Sequence, residues 1–168
     1  MKGTLLFLAA LVLATGSGCG AKKKEIASLD RKKAAAAVSE AEFALTVREY
    51  QRAEGLYAQA AALCPDTGDY WVSLGSTRMK LGQRDGAKSA YKSALAAYED
   101  AARQDKTDPA PVIQQMTVLA LLGRADDARS LLEKLPARFP DNRQVKNFVE
   151  AKQLDRLLAD PRFKEVAL

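Results

Sequence analysis

Histidine is absent from this chain of 168 residues, which contains only two cysteines and one tryptophan. Histidine is the commonest general base, catalytic-triad member and metal ligand, so its absence excludes the usual routes to hydrolysis and zinc binding. A phosphate-binding loop is also missing, because the glycines at 82 and 86 are not followed by Gly-Lys-Ser/Thr. The sequence therefore predicts no catalytic residues, no metal and no cofactor.

Two features that an enzyme could use remain, Cys64 and the acidic pair Asp126-Asp127. Cys64 directly precedes Pro65 at the end of a predicted helix, where a cysteine is more often a small apolar residue than a nucleophile. The acidic pair lies at a predicted helix start, where carboxylates accept hydrogen bonds from free backbone amides. We expect a protein that is not an enzyme. An enzyme or accessory subunit would instead show an activity that depends on one specific carboxylate.

Aromatic residues make up only 7% of the chain, and alanine supplies much of its 48% hydrophobic content. This composition favours closely packed helices over strands, which prefer β-branched and aromatic residues. The 26 basic and 21 acidic residues are interspersed, giving a net charge of +5, and the only tight basic run is Lys22–Lys24. Nucleic-acid binders concentrate basic residues on one face, so we expect no nucleic-acid partner.

Residues 1–18 have the organisation of an export signal. Lys2 is followed by an apolar run from Thr4 to Ala14, which is shorter than the about 20 residues that a membrane-spanning helix needs. A positive start, a short apolar centre and a tail of small residues are typical of a secretory signal. A buried first helix is the alternative, but the run lacks the periodic polar residues that give such a helix its solvent-facing side.

The signal ends in Ser17-Gly18-Cys19, which resembles the lipobox of bacterial lipoproteins. The resemblance implies that a diacylglyceryl group is attached to the sulfur of Cys19, which becomes the first mature residue. Gly16 departs from the pattern, which usually has an aliphatic residue there, and ordinary signal cleavage is the alternative. Gly20 stands where an Asp retains enterobacterial lipoproteins at the inner membrane. The resemblance therefore implies the outer membrane, facing the periplasm; without lipidation, the protein would be periplasmic or secreted.

The spacing of small and aromatic residues repeats along the rest of the chain, after a polar tether at residues 19–33. Ala53 recurs 34 residues later as Ala87, which recurs 41 residues later as Ala128, and Tyr57 likewise recurs as Tyr91. A period of this length is typical of stacked helical hairpins, none of which can bury its apolar face alone.

The repeat resembles the tetratricopeptide family, in which two helices occupy 34 residues and a proline falls near position 32. With Ala34 as position one, the three repeats span residues 34–67, 68–108 and 109–142. The second unit matches best, since Trp71, Leu74 and Gly75 occupy positions 4, 7 and 8, although Arg78 replaces the expected Tyr at position 11. Small residues at positions 8, 20 and 27 allow the paired helices to approach closely, and large ones fill the remaining space.

We therefore expect an all-α protein, a right-handed α-solenoid of about three helical hairpins with a C-terminal capping helix. Helices are predicted near 26–47, 50–63, 69–81, 84–105, 109–122 and 125–138, with a last pair near 142–159 and 161–167. The second unit has seven extra residues, which extend its second helix by almost two turns. The longer helix either protrudes beyond its neighbours or packs on the following unit, and a tolerated variation in length without further consequence is the alternative.

Residues 143–168 are predicted to cap the last repeat. The sequences Leu154-Asp155 and Asp160-Pro161-Arg162-Phe163 resemble the ending of many bacterial tetratricopeptide proteins. A terminal repeat needs a cover with a polar outer face, and five apolar residues can form its inner face. These are Phe148, Leu154, Leu157, Leu158 and Phe163. A separate docking peptide is the alternative.

The family resemblance implies a concave groove lined by the first helix of each unit. Carried over by position, its candidate residues are Val38, Glu42, Leu45, Val72, Ser76, Met79, Lys80, Ile113, Thr117 and Leu121. Chaperone-binding members of the family hold a terminal carboxylate with Lys and Asn at the positions of Val38 and Glu42, so we do not expect that ligand here. Alternatively, part of this set packs against the N-terminal or capping helix.

These observations favour a non-catalytic adaptor of the bacterial cell envelope that binds a peptide or helix of a partner protein in a largely apolar groove. The alternative is a self-associating structural subunit of an envelope assembly or secretion complex, which would use the long fourth helix as its contact.

Overall fold

The computed structural model describes residues 26–168, so the signal at 1–18, Cys19 and the start of the tether lie outside the described residues. Over the described range the chain is helical and contains no strand. The helices are α1 (Ser28–Thr46), α2 (Tyr50–Leu63), α3 (Gly68–Lys80), α4 (Arg84–Gln104), α5 (Ala110–Leu121), α6 (Ala125–Arg138), α7 (Arg143–Glu150), α8 (Gln153–Ala159) and α9 (Pro161–Lys164). The first six agree with the predicted ranges to within two residues. Within residues 26–168, no helix is long and apolar enough to cross a membrane.

The first six helices form three hairpins, α1–α2, α3–α4 and α5–α6, and successive hairpins pack through α2–α3 and α4–α5. Ala53, Ala87 and Ala128 are all fully buried, each on the second helix of its hairpin. An alanine keeps the least side-chain volume between two helix axes, and the neighbouring large residues fill the space that remains. The predicted all-α solenoid of helical hairpins is thus confirmed. Residues 28–33 of the expected tether form the first turns of α1.

The turns inside the hairpins share one backbone conformation. Gly82 and Gly123 follow α3 and α5 with φ values of 73° and 72°, which glycine adopts without steric cost. In both turns, the next residue donates its N–H to a carbonyl of the preceding helix, Gln83 to Arg78 and Arg124 to Leu119, at 2.9 and 2.8 Å. The predicted glycine caps are therefore present.

The first hairpin makes the same turn without glycine. Arg48 follows α1 with a φ of 62°, and Glu49 N–H donates to the carbonyl of Ala44 at 2.8 Å. The conformation is costly for a residue with a side chain, and only the surrounding hairpin maintains it.

The helix starts after these turns are not capped by side chains. Asp126 and Asp127, for which amide capping was the expected role, instead pair with Arg129 and Arg124. Their position in the first turn of α6 still places negative charge near the positive end of the helix dipole.

Two tyrosines of α4 fill the space beside two glycines of α3. A Cβ on Gly75 would lie 2.5 Å from Cδ1 of Tyr91, and a Cβ on Gly68 would lie 2.5 Å from Cζ of Tyr98. The two glycines are seven residues apart on α3, and the two tyrosines are seven residues apart on α4. The first glycine faces the second tyrosine and the second glycine faces the first, as antiparallel helices require. These contacts set the register of the second hairpin.

The extension of α4 packs on the following unit. Tyr98 and Ala102 are buried, and their carbonyls accept hydrogen bonds from the side chains of Gln115 and Arg138, at 3.1 and 3.3 Å. Of the expectations for the extra residues, contact with the next hairpin is the one observed.

The helix predicted at 142–159 is interrupted at Ala151 and Lys152, which separate α7 from α8. Lys152 has a left-handed conformation, with a φ of 49°, and its N–H donates to the carbonyl of Val149. Neither glycine nor proline marks this break in the sequence. The break redirects the chain so that Leu154 reaches the core beside α5 and α6, where it is only 2% exposed. Burial of that leucine offsets the backbone strain.

Candidate partner-binding face

The ten predicted groove residues lie on α1, α3 and α5, the first helices of the three hairpins. On α1, Val38 and Leu45 are half-buried against the core, whereas Glu42 is exposed. The part of the face on α1 therefore presents the edges of two apolar side chains beside a carboxylate.

The part of the face on α3 surrounds Tyr91. Val72 and Met79 are half-buried and pack on the cluster that contains Tyr91, and Lys80 is exposed. The Ser76 hydroxyl lies 3.4 Å from the Tyr91 hydroxyl. The phenol of α4 thus reaches between α3 side chains to the predicted face.

The part of the face on α5 is more deeply buried. Ile113 is 9% exposed and belongs to the core between α5 and α6, and Leu121 is 2% exposed in the cluster around Tyr91. Thr117, between them along the helix, is half-buried. Ile113 and Leu121 are core residues in this conformation, so the candidates that retain exposed surface are Thr117 and those on α1 and α3.

The end of the chain packs on the same cluster. We refer to residues 160–168 as the C-terminal segment, which comprises α9 and the residues beside it. Phe163, Val166 and Leu168 pack around Tyr91 and Leu121 together with Val72 and Met79. Part of the predicted groove is therefore covered by the chain itself.

Two hydrogen bonds anchor this segment. The Tyr91 hydroxyl donates to the carbonyl of Val166 at 2.6 Å, and Leu168 N–H donates to the carbonyl of Leu121 at 2.9 Å. Leu121 is the last residue of α5, so its carbonyl has no partner within the helix and is open to this bond. Sequence reasoning placed Tyr91 in the core and missed its hydroxyl, because the partner carbonyl lies 75 residues away along the chain.

The capping residues divide between two sites. Phe148 and Leu154 are buried in the core of the third hairpin, and Leu158 packs against it. Phe163 instead packs on the cluster around Tyr91. Residues 143–159 thus cover the third hairpin, while the C-terminal segment reaches back to the second.

A second concave surface, which sequence reasoning did not identify, lies between the start of α1, the α2–α3 turn and the C-terminal half of α4. It encloses about 910 Å³ and is lined by residues that include Ile26, Pro65, Trp71 and Ala97. The Trp71 indole donates to the carbonyl of Pro65 at 3.0 Å, and Arg31 pairs with Asp66 at 2.9 Å across the rim. These contacts fix its walls.

Burial changes the acidity of several groups. It raises the pKa of Tyr91, whose bond with Ser76 acts in the opposite direction. The pKa of Tyr98 is also raised, by burial and by its hydrogen bond to the Asp69 carboxylate. Burial raises the pKa of the Cys64 thiol, which favours the unreactive neutral form. In residues 26–168, no cluster of His, Cys, Asp and Glu has a metal-binding arrangement.

Comparison with known proteins supports the repeat assignment. Residues 87–151 match the family model described as Tetratricopeptide repeat, a segment that runs from the first turn of α4 to the end of α7. A search of curated proteins found no match.

Among solved structures, the Arabidopsis OM64 TPR domain is similar with a TM-score of 0.43 at 16% identity, covering 76% of this chain and 98% of that one. The first TPR of Spaghetti (RPAP3), bound to the HSP90 peptide SRMEEVD, gives a TM-score of 0.44 at 16% identity, covering 77% of this chain and 96% of that one. The similarity to the tetratricopeptide repeat family thus covers residues 87–151, which is less than half of the chain.

Proposed function

We propose that this protein is a non-catalytic adaptor that binds a peptide or helix of a partner protein on the face formed by α1 and α3. The observation that carries the proposal is the row of half-buried apolar side chains at Val38, Leu45, Val72 and Met79, on first helices of successive hairpins. Side chains of this kind lose further water contact when an amphipathic segment docks, and that burial stabilises a complex.

Charge on the face gives it polarity. The exposed carboxylate of Glu42 lies on α1, and the exposed ammonium of Lys80 ends α3. A partner with a basic residue toward α1 and an acidic one toward the end of α3 complements this arrangement, which favours one orientation of the bound segment.

A peptide-library selection against the full chain tests the proposal. We expect selected peptides to lose at least about tenfold in affinity with Met79→Asp or Val72→Asp, because a buried charge at the contact is unpaired. Val149→Asp is the matched control, since Val149 is an exposed aliphatic residue on α7. Peptides that bind all three variants equally would place binding elsewhere and contradict the proposal.

We further propose that the adaptor is exported and held at the bacterial outer membrane through a lipid on Cys19. The support is the lipobox-like Ser17-Gly18-Cys19, which follows a short apolar run. Stable anchoring takes more than one acyl chain, and a diacylglyceryl group on Cys19 would supply two. Cys19→Ser is expected to move the protein from the membrane to the soluble fraction. Unchanged membrane partition of that variant would contradict lipidation.

A second candidate function is self-association within an envelope assembly. The observation that favours it is the outer side of α1, where Leu29, Phe43 and Val47 are exposed, with Phe43 61% accessible. Light scattering distinguishes the two functions: a concentration-dependent dimer that Phe43→Ser dissociates supports self-association, and a monomer at high concentration excludes it.

A further inference from the structure

We propose that the C-terminal segment, residues 160–168, is a tethered ligand that occupies the α3–α5 part of the binding face and that a partner must displace. The inference rests on the proposed adaptor function and names the competitor for its site. It also assigns the segment a role distinct from capping, because residues 143–159 already cover the third hairpin.

The contacts are those of a bound helical turn. Phe163 and Val166 lie three residues apart, on one face of a helical turn, and Leu168 follows them onto the same cluster. The Tyr91 hydroxyl donates a hydrogen bond to one carbonyl of the segment, and the last carbonyl of α5 accepts one from an N–H group of the segment. Apolar anchors combined with a few backbone hydrogen bonds are the usual means by which proteins hold short segments.

The segment is held less firmly than the cap before it. Phe163, Val166 and Leu168 are each only half-buried, in contrast with Leu154 and Phe148 of the cap. Its ion pair, between Arg162 and Asp160, lies within the segment and adds no attachment to α3 or α5. Few buried contacts and exposed backbone make a segment prone to local opening.

The receptor side does not depend on the segment for its shape. Tyr91 is positioned by its fit against Gly75 and by the Ser76 hydroxyl, both on α3. Leu121 belongs to α5, which packs on both α4 and α6, and it lies in the same buried cluster as Tyr91. When the segment leaves, a preformed apolar site with one phenol donor and one free carbonyl remains.

The partner chemistry follows from this site. A competing segment needs an aromatic residue, an aliphatic residue three positions later, and a backbone carbonyl beside the second that accepts from Tyr91. The adjacent Lys164 and Glu165 are exposed, so these positions are free to vary in a partner.

A labelled peptide of residues 160–168 tests the inference against three full-length proteins. They are the unaltered chain, the double variant Phe163→Asp/Val166→Asp, and the control Val149→Asp. A competitor binds only while the tethered segment leaves the site open. Its apparent affinity is therefore its intrinsic affinity multiplied by the fraction of molecules in which the site is open. We expect the peptide to bind the double variant at least about tenfold more tightly than the other two proteins. Adding Met79→Asp to the double variant is expected to abolish this binding.

Equal binding to all three proteins, or no binding to a helical double variant, would overturn the inference. Circular dichroism verifies the helicity of each variant. If the double variant loses helicity, the milder Phe163→Ala replaces it with the same expected direction. This titration measures binding of the chain's own segment and needs no partner, whereas the library selection measures binding of other peptides at Val72 and Met79 of α3. Failure of the tethered-ligand inference is therefore distinguishable from failure of the adaptor function.

Discussion

The ring of Tyr91 on α4 occupies the space that a side chain on Gly75 of α3 would need, with Cδ1 2.5 Å from the position of an added Cβ. This fit allows the two helices to approach closely and directs the Tyr91 hydroxyl toward Ser76 and the C-terminal segment. A contact at the centre of one hairpin therefore also shapes the surface on which the chain end docks.

Gly75→Ala is predicted to destabilise the protein. The added methyl group overlaps the buried Tyr91 ring, and overpacking of this kind costs about 1–3 kcal/mol. Gly55→Ala is the matched control, because Gly55 lies inside α2 with open space around it. It should stabilise the helix by about 0.5–1 kcal/mol. Urea denaturation followed by circular dichroism measures both. Equal effects of the two substitutions would show that the close contact is absent in solution.

The ion pair between Arg78 and Glu54 is predicted to contribute measurably to stability. Arg78 donates to Glu54 of α2 at 2.8 Å and to the carbonyl of Gly86 at 3.3 Å, and both charged side chains are about three-quarters buried. Glu54→Gln should cost about 1.5 kcal/mol, because hydrogen bonds to charged groups contribute most when partly buried. Arg52→Ala, which breaks an exposed pair with Glu49, should change stability by less than about 0.5 kcal/mol.

A comparable loss from both substitutions, measured by the same denaturation, would refute the prediction for Arg78. The contact also explains why Arg78 stands where the repeat pattern expects a tyrosine. Through hydrogen bonds, the arginine links α3 to α2 and to α4. An aromatic ring at this position would contact these helices by packing alone.

Lys152→Gly is predicted to stabilise the protein modestly. Lys152 has a φ of 49°, and glycine adopts this conformation without the steric cost of a side chain. The gain is limited to about 1 kcal/mol because glycine also increases the entropy of the unfolded chain. Gly82→Ala is the opposite control, with a φ of 73° and open space around it, and should destabilise by a similar amount. Thermal unfolding measures both, and a lower melting temperature for Lys152→Gly would contradict the prediction.

Stability is predicted to fall as the pH rises above the ordinary tyrosine pKa of 10.0. Burial raises the pKa of Tyr57, Tyr91 and Tyr98, so the folded state retains their protons where the unfolded state loses them. The free energy of unfolding is therefore independent of these groups below that pH and decreases above it. Tyr91→Phe should reduce the slope, as measured by urea denaturation across the alkaline range. An unchanged slope would show that Tyr91 ionises as readily in the folded protein as in the unfolded chain.

The repeat spacing predicted most of the fold because it reflects local geometry. Ala53, Ala87 and Ala128 recur at helix crossings, and Gly82 and Gly123 end helices where the backbone turns left-handed. Side-chain size and backbone freedom are properties of single residues, so they are visible in the sequence.

The repeat spacing predicted only part of the candidate face. Position in the repeat placed Val72 and Met79 on the first helix of a hairpin, and it left open which groove residues pack against other parts of the chain, as the buried Leu121 does. Burial at that site depends on which distant segment returns to α5. The Tyr91 hydroxyl and its partner Val166 are similarly far apart in the chain.

The sequence by itself determined the helices, their order and their pairing into hairpins, because periodic small and apolar residues and glycine turns act over short distances. Only the tertiary structure decided where the chain leaves that pattern. Lys152 adopts a strained conformation because the burial of Leu154 offsets its cost, and the redirected chain brings Phe163 and Val166 onto the second hairpin. Such a trade between local strain and distant burial arises only when the whole chain is packed together.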